Sequence, residues 1–176
     1  MKKLTSSVIA FLLAATLAGC ASQSDVPAGM LRASNEIVDY DLFVPDEWTV
    51  DLTGGAVSAF RGEGDSTNIS MMVWNLPYAD TTLADWWETY RGEFDMIFDE
   101  FTMESTESTT LDGVAAQKYV YTAKLAENTY RYTQIAAIRR GSVYLMTVTE
   151  LADIDEETAA EHAEEISQIT EHFRWR

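Results

Sequence analysis

Cysteine and basic residues are the scarce components of this chain. Cys20 is the only cysteine among 176 residues, which excludes an intramolecular disulfide, a Cys-x-x-Cys redox centre and a zinc site built from several cysteines. Only 12 Lys and Arg stand against 29 Asp and Glu, so the net charge is -17. Nucleic-acid binding relies on Lys and Arg that neutralise phosphates, and the composition therefore argues against nucleic acid as a partner. It argues equally against adhesion of the whole chain to anionic lipid by charge alone.

The N-terminal apolar run is too short to cross a bilayer. It covers residues 8–17 and follows two lysines, whereas a spanning helix needs roughly 18 to 20 apolar residues. A basic start followed by a short apolar run is typical of a secretory signal. Residues 17–20 read LAGC, an apolar residue, two small residues and a cysteine, which is the pattern of a lipobox. We therefore expect residues 1–19 to be a lipoprotein signal peptide and Cys20 to be acylated.

The rest of the chain divides into a tether and one domain. After Cys20, residues 21–34 are mostly small and polar, and their apolar residues show neither helical nor strand spacing. Residues 20–34 therefore predict a flexible tether. Residues 35–176 are long enough for a single globular domain with a core of its own. Membrane attachment would come from acyl chains on Cys20, and more than one chain gives stable anchoring. The expected location is the extracytoplasmic face of a bacterial cell-envelope membrane.

The periodicity of apolar residues predicts an α+β domain. Strands are expected over residues 36–44, 48–52, 56–61, 67–76, 102–110, 114–125, 129–139 and 142–151. A helix is expected over 82–101, with Thr81 or Thr82 as its N-cap, and a second over 155–173. Several strands are apolar on both faces. We therefore predict a central antiparallel sheet of about six strands flanked by helices, a three-layer α/β/α sandwich, with a two-layer sandwich and an exposed Trp-rich face as the alternative.

Motifs for catalysis or metal binding are weak throughout. The Gly62-x-Gly64 pair lacks the third glycine and the lysine of a phosphate-binding loop, and a hairpin turn explains it better. An acidic run that starts at Asp153 imitates a calcium loop but has Thr158 where that loop needs glycine. His162 and His172 lie ten residues apart on one predicted helix, which separates them by about 15 Å, too far to share a metal. No catalytic residue, cofactor or metal ligand is predicted.

Aromatic side chains offer the best candidate for a binding site. Trp86 and Trp87 lie on the first predicted helix, and Tyr130 and Tyr132 lie on a predicted strand. These four, together with Tyr119 and Tyr121 on the preceding predicted strand, could line a groove for a peptide or a sugar. Core packing is the competing interpretation, because aromatic residues at helical or strand spacing are more often buried against a sheet.

The order of elements and several short signatures resemble PsbP-like domains and the related Mog-type proteins. A strand that ends in proline and is soon followed by tryptophan opens the pattern at residues 40–48. The later signatures are Asp112-Gly113, Tyr119, Tyr121, residues 132–134, residues 141–144 and a final helix that ends near Phe173. The resemblance covers roughly residues 36–175. It implies a central antiparallel sheet flanked by helices and a role in binding rather than catalysis, as PsbP docks on photosystem II and Mog-type proteins bind a small GTPase.

Three functions are then open. The first is a non-enzymatic, lipid-anchored domain that binds or supports another envelope protein. The second is a lipoprotein that binds a small ligand such as a peptide or a sugar. The third, a hydrolase, would require a cluster of perturbed titratable groups in a cleft.

Overall fold

The structure, a computed structural model, describes residues 26–53 and 56–176, apart from the side chain of Asp95. The predicted signal peptide, Cys20 and the Gly54-Gly55 break lie outside these residues. The elements in chain order are β1 (Met30–Arg32), β2 (Tyr40–Asp41), β3 (Phe43–Pro45), β4 (Thr49–Asp51), β5 (Val57–Gly62), β6 (Asp65–Asn75), α1 (Leu83–Arg91), a 3-10 helix (Phe94–Met96), β7 (Glu100–Leu111), β8 (Val114–Leu125), β9 (Asn128–Arg139), β10 (Ser142–Leu151), α2 (Glu156–His172) and β11 (Arg174–Trp175). Neither described α-helix is long and apolar enough to span a membrane.

A central antiparallel sheet carries the fold. Its strands follow the order β4-β5-β6-β10-β9-β8-β7, so β4 and β7 form the two edges. The α+β class and the antiparallel sheet are confirmed, but the sheet has seven strands where about six were predicted. The short strands pair separately, β1 with β3 and β2 with β11.

The sheet buries a cluster of apolar residues on each face. Along β10, Tyr144 and Met146 belong to one cluster and Leu145 to the other, as the alternation of a strand requires. The first cluster, the α2-side core, contains Ile169 and Phe173 from the end of the chain. The second, the aromatic core, consists of Trp87, Phe94, Tyr119, Tyr121, Ala123, Tyr132, Ala136 and Leu145. The two helices therefore pack against opposite faces of the sheet.

The first helix is shorter than predicted. The predicted range was 82–101, but α1 ends at Arg91 and Gly92 follows it as the C-cap. A 3-10 helix and the start of β7 occupy the remaining residues. The helical spacing of aromatic residues continues because the turn carries Phe94 and Phe101 back to the same cluster. The start was predicted well, since Thr82 is the N-cap and forms a capping box with Asp85.

The opening segment also differs from the prediction. Residues 20–34 were expected to be a flexible tether, but Met30–Arg32 pair with Phe43–Pro45, and Ala33 is fully buried. The expected strand over 36–44 is two short strands that belong to different pairs. The segment before Ser34 thus includes a part of the folded domain, because Ala33 belongs to the α2-side core.

Candidate binding site

A cavity of about 440 Å³ lies between α1 and the edge of the sheet formed by β7 and β8. This volume falls in the range of small-ligand sites. We call it the α1 pocket. The helix contributes Ala84, Trp87, Glu88 and Arg91, and the strands contribute Phe101, Met103, Thr106, Gln117 and Tyr119. Its walls are therefore mostly aromatic and aliphatic, with a few polar groups.

One wall of the α1 pocket is a stacked pair of rings. Trp87 and Tyr119 lie with ring centroids 3.7 Å apart and planes 7° from parallel. Both are nearly buried, with 5% and 3% of their surface exposed. Burial, with a smaller contribution from the carboxylate of Glu88, raises the pKa of Tyr119 to about 12. The Tyr119 hydroxyl therefore stays protonated at neutral pH and can donate a hydrogen bond.

Polar and charged groups lie around this apolar wall. Glu88 and Arg91, one turn apart on α1, form a loose ion pair with 3.9 Å between carboxylate oxygen and guanidinium nitrogen. The Arg91 guanidinium also lies 6.0 Å from the centre of the Phe101 ring. Thr106 and Gln117 add a hydroxyl and an amide. Such a site suits an apolar or aromatic group that ends in a hydrogen-bonding atom.

The aromatic residues predicted to form a groove do not line one cavity. Trp87 lines the α1 pocket, whereas Trp86 stacks on Tyr90 at 4.9 Å and faces a separate cavity of about 280 Å³. Tyr132 is 9% exposed and packs in the aromatic core, where it contacts Tyr130 with ring centroids 6.3 Å apart. Trp87 and Tyr119 line the α1 pocket, whereas Trp86, Tyr130 and Tyr132 pack elsewhere in the same aromatic region.

Of the strand residues of the α1 pocket, the sequence indicates only Tyr119 as a candidate for binding. Phe101 falls within the predicted helix, and Met103 and Thr106 lie in a polar stretch without a distinct signal. A bulge between Met103 and Ser105 changes the register of β7, so Thr106 lies opposite Tyr119. A bulge shifts which residues share a face, and alternation alone cannot place it.

A second group of polar residues surrounds a buried histidine. His162 on α2 is 1% exposed, its Nδ1 lies 3.0 Å from Glu150 of β10, and its Nε2 lies 3.1 Å from Asp65 of β6. Burial on its own would raise the pKa of Asp65, but hydrogen bonds from Thr67 and Arg61 and the nearby His162 lower it to about 2. No set of three or more His, Cys, Asp or Glu among the described residues is placed to hold a metal. The group links three elements and has a structural role.

Solved structures share this fold at low sequence identity. The solution structure of cyanobacterial PsbP (CyanoP) from Synechocystis sp. PCC 6803 matches with a TM-score of 0.63 and 16% identity, over 91% of this chain and 99% of that one. The Ran-binding protein Mog1p of Saccharomyces cerevisiae gives 0.57 and 6%, over 83% and 95%. LpqN of Mycobacterium tuberculosis, described as involved in cell envelope biogenesis, gives 0.52 and 16%, over 77% and 82%. The predicted PsbP/Mog-type fold is confirmed.

No family model and no curated protein sequence matches the chain significantly. The similarity is therefore one of fold, and the function must be argued from this chain's own residues.

Proposed function

We propose that the chain is a lipid-anchored, extracytoplasmic domain of a bacterial envelope that binds another envelope protein through the α1 pocket. The observation that carries the proposal is the pocket itself, an aromatic-walled cavity of about 440 Å³ at the edge of the sheet. Protein interfaces concentrate their binding energy in such pockets, which receive one aromatic or aliphatic anchor side chain. The proposed attachment to lipid is supported by the LAGC sequence at residues 17–20, which has the pattern of a lipobox.

The α1 pocket favours binding over catalysis. Its charged members, Glu88 and Arg91, are on the exposed surface of α1 and pair with each other. The tyrosine of the pocket has its pKa raised to about 12, which makes it a poor base at neutral pH. The fold is shared with LpqN and CyanoP, and an accessory role in the envelope fits that resemblance without following from it.

Lipid anchoring is tested by the mass of the protein extracted from membranes. We expect the chain to begin at Cys20 and to carry two or three acyl chains, because the signal sequence ends in a lipobox. A Cys20→Ser variant should remain unprocessed and unacylated. A mature mass without acyl groups would contradict the anchoring part of the proposal and leave the α1 pocket as a separate question.

Partner binding is tested by filling the α1 pocket. Ala84 lines the pocket and is exposed, so Ala84→Phe should occupy the space without removing a core side chain. With a photoreactive residue at Thr106, we expect one recurrent cross-linked envelope protein in cells and its loss in Ala84→Phe. The matched control is Ala160→Phe, an exposed alanine on α2. Both variants should unfold within about 0.5 kcal/mol of the unmodified chain.

A small ligand is the second candidate, because the pocket volume suits one. The same variants separate the two functions. A cross-linked neighbour that persists in Ala84→Phe, or the absence of any neighbour, would contradict partner binding at this pocket. Ligand mass recovered from the purified chain but not from Ala84→Phe would then favour the small-ligand function.

A further inference from the structure

The positive charges of the described domain are concentrated at one end. Of the 12 Lys and Arg, two precede residue 26, and four of the remaining ten pair with two aspartates. Arg139 and Arg140 contact Asp39, and Arg32 and Arg176 contact Asp41. A fifth arginine, Arg174, lies two residues before Arg176 and contacts Asp112. A chain with a net charge of -17 therefore presents a local excess of arginine.

A cavity of about 450 Å³ opens among these arginines. We call it the arginine pocket. Its lining residues are Pro27, Arg32, Asp41, Phe43, His172 and Arg174. Arg32 lies over the ring of Phe43, with 5.5 Å from guanidinium carbon to ring centre, which holds the cation in place. His172 donates from Nδ1 to the carbonyl oxygen of Gln168 at 2.8 Å, so the ring is also fixed.

The acids in and near the arginine pocket do not neutralise its cations fully. Asp41 is shared, because its Oδ1 lies 3.1 Å from Arg32 Nε and also accepts hydrogen bonds from Arg176. The contact with Arg32 has ion-pair distance but poor hydrogen-bond direction, so Arg32 Nε has no acceptor among the described residues. Asp112 stands 3.9 Å from Arg174, at the limit of an ion pair. One carboxylate between two guanidiniums leaves a positive charge free to meet an anion.

The arginine pocket lies where the chain enters the domain. Pro27 lines it, and Cys20 precedes Pro27 by seven residues, which span at most about 25 Å when extended. If Cys20 is acylated, as proposed above, the pocket lies within that distance of the lipid headgroups. The arginines of the pocket would then lie near the membrane, although the chain as a whole has a net charge of -17.

We propose that the arginine pocket binds a phosphate group, carried either by an anionic lipid headgroup or by a soluble phosphate ester. Arginine suits this ligand because its planar guanidinium can donate two parallel hydrogen bonds to phosphate oxygens. Arg32 and Arg174, which both line the pocket, would make these contacts. Only the lipid source depends on the anchoring proposal; the phosphate chemistry depends on the pocket alone.

The test uses the full chain reconstituted in phosphatidylcholine vesicles and titrated with inorganic phosphate in a calorimeter. We expect saturable binding that Arg174→Gln weakens about tenfold or more, since a hydrogen bond to a charged group is lost. The matched control is Arg131→Gln, because the side chains of Arg131 and Arg174 are similarly exposed, at 46% and 52%. Arg131 pairs with Glu104, away from the arginine pocket, and its variant should bind phosphate normally.

A second measurement separates the two sources of phosphate. Hydrogen exchange of β1 and β3 is compared in vesicles with and without phosphatidylglycerol. Protection that requires phosphatidylglycerol and disappears in Arg174→Gln identifies the lipid headgroup, whereas phosphate binding without such protection identifies a soluble phosphate. Absence of saturable phosphate binding, or equal binding in Arg174→Gln and Arg131→Gln, overturns the proposal. Ala84→Phe should not alter phosphate binding. A failure of partner binding at the α1 pocket can therefore be distinguished from a failure of phosphate binding at the arginine pocket.

Discussion

Replacement of His162 by alanine is expected to lower the free energy of unfolding by about 3 to 5 kcal/mol, the cost of breaking a buried ionic contact. The imidazole separates Glu150 from Asp65, with 3.0 and 3.1 Å between the ring nitrogens and the carboxylate oxygens. Asp65 keeps its bonds to Arg61 and Thr67. Glu150 is 7% exposed, and His162 supplies the side-chain hydrogen bond described for it, so the variant leaves a buried carboxylate without a donor.

Both ring nitrogens of His162 face carboxylate oxygens, so loss of the ring leaves Glu150 without the side-chain contact described for it. The double variant His162→Leu with Glu150→Leu should therefore recover much of the lost stability, since it removes the stranded charge together with its partner.

Urea unfolding at neutral pH measures these differences, with His172→Ala as the control. His172 is only half-buried and bonds to a backbone carbonyl of its own helix, so its loss should cost less than about 1 kcal/mol. The folded-state pKa of Asp65 is lowered to about 2. Its contribution is therefore present above the unfolded pKa and is lost as the pH falls from about 4 towards 2. Both chains should lose this contribution over that window, because Asp65 keeps its bonds to Arg61 and Thr67 in His162→Ala. Equal stability of the two at neutral pH would refute this account.

The sequence predicted the later strands best because two signals coincide there. The ranges 114–125 and 142–151 match β8 and β10 residue for residue. Both strands follow two-residue turns, Asp112-Gly113 and Arg140-Gly141, in which all four residues have positive φ. Turns of this kind suit the twist of a hairpin and fix where each strand begins. Strong β-forming residues then continue to the next turn.

The end of α1 and the position of the α1 pocket could not be predicted from such turn signals. The spacing of apolar residues from Leu83 to Phe101 fits one continuous helix. This spacing alone does not distinguish such a helix from a shorter helix followed by a strand that packs on the same cluster. Gly92 ends the helix, and Phe101 returns to the aromatic core from β7. The α1 pocket forms at that return. Its position therefore depends on a chain reversal that the apolar pattern conceals.

The buried histidine shows a different limit. The sequence offers His162 only as a candidate metal ligand, and the expected distance to His172 excludes a shared metal. Its partner Asp65 lies 97 residues away in sequence, and Glu150 lies 12 away on another element. No local pattern connects them. Tertiary packing of α2 against β6 and β10 brings the three together, which is why the cluster emerges only from the fold.

Replacement of Trp87 by alanine is the second change with a large expected effect, because it tests whether the aromatic residues serve the core or a groove. Trp87 is 5% exposed, stacks on Tyr119 at 3.7 Å and meets the edge of Phe94 at 5.8 Å. Removal of a buried Trp side chain costs about 3 to 5 kcal/mol, from lost burial and from the cavity left behind. We therefore expect a large fall in the denaturant midpoint.

Two comparisons make the Trp87 result decisive. Trp86→Ala is the matched control, since Trp86 is the adjacent residue on α1 but only half-buried, and its cost should be clearly smaller. Trp87→Phe retains a ring in the aromatic core and should recover part of the stability. If Trp87→Ala instead leaves the midpoint unchanged while it abolishes the cross-link from Thr106, Trp87 contributes to binding without supporting the core. The expected loss of both stability and cross-link assigns it to the core wall of the α1 pocket, which is why Ala84→Phe remains the sharper probe of binding.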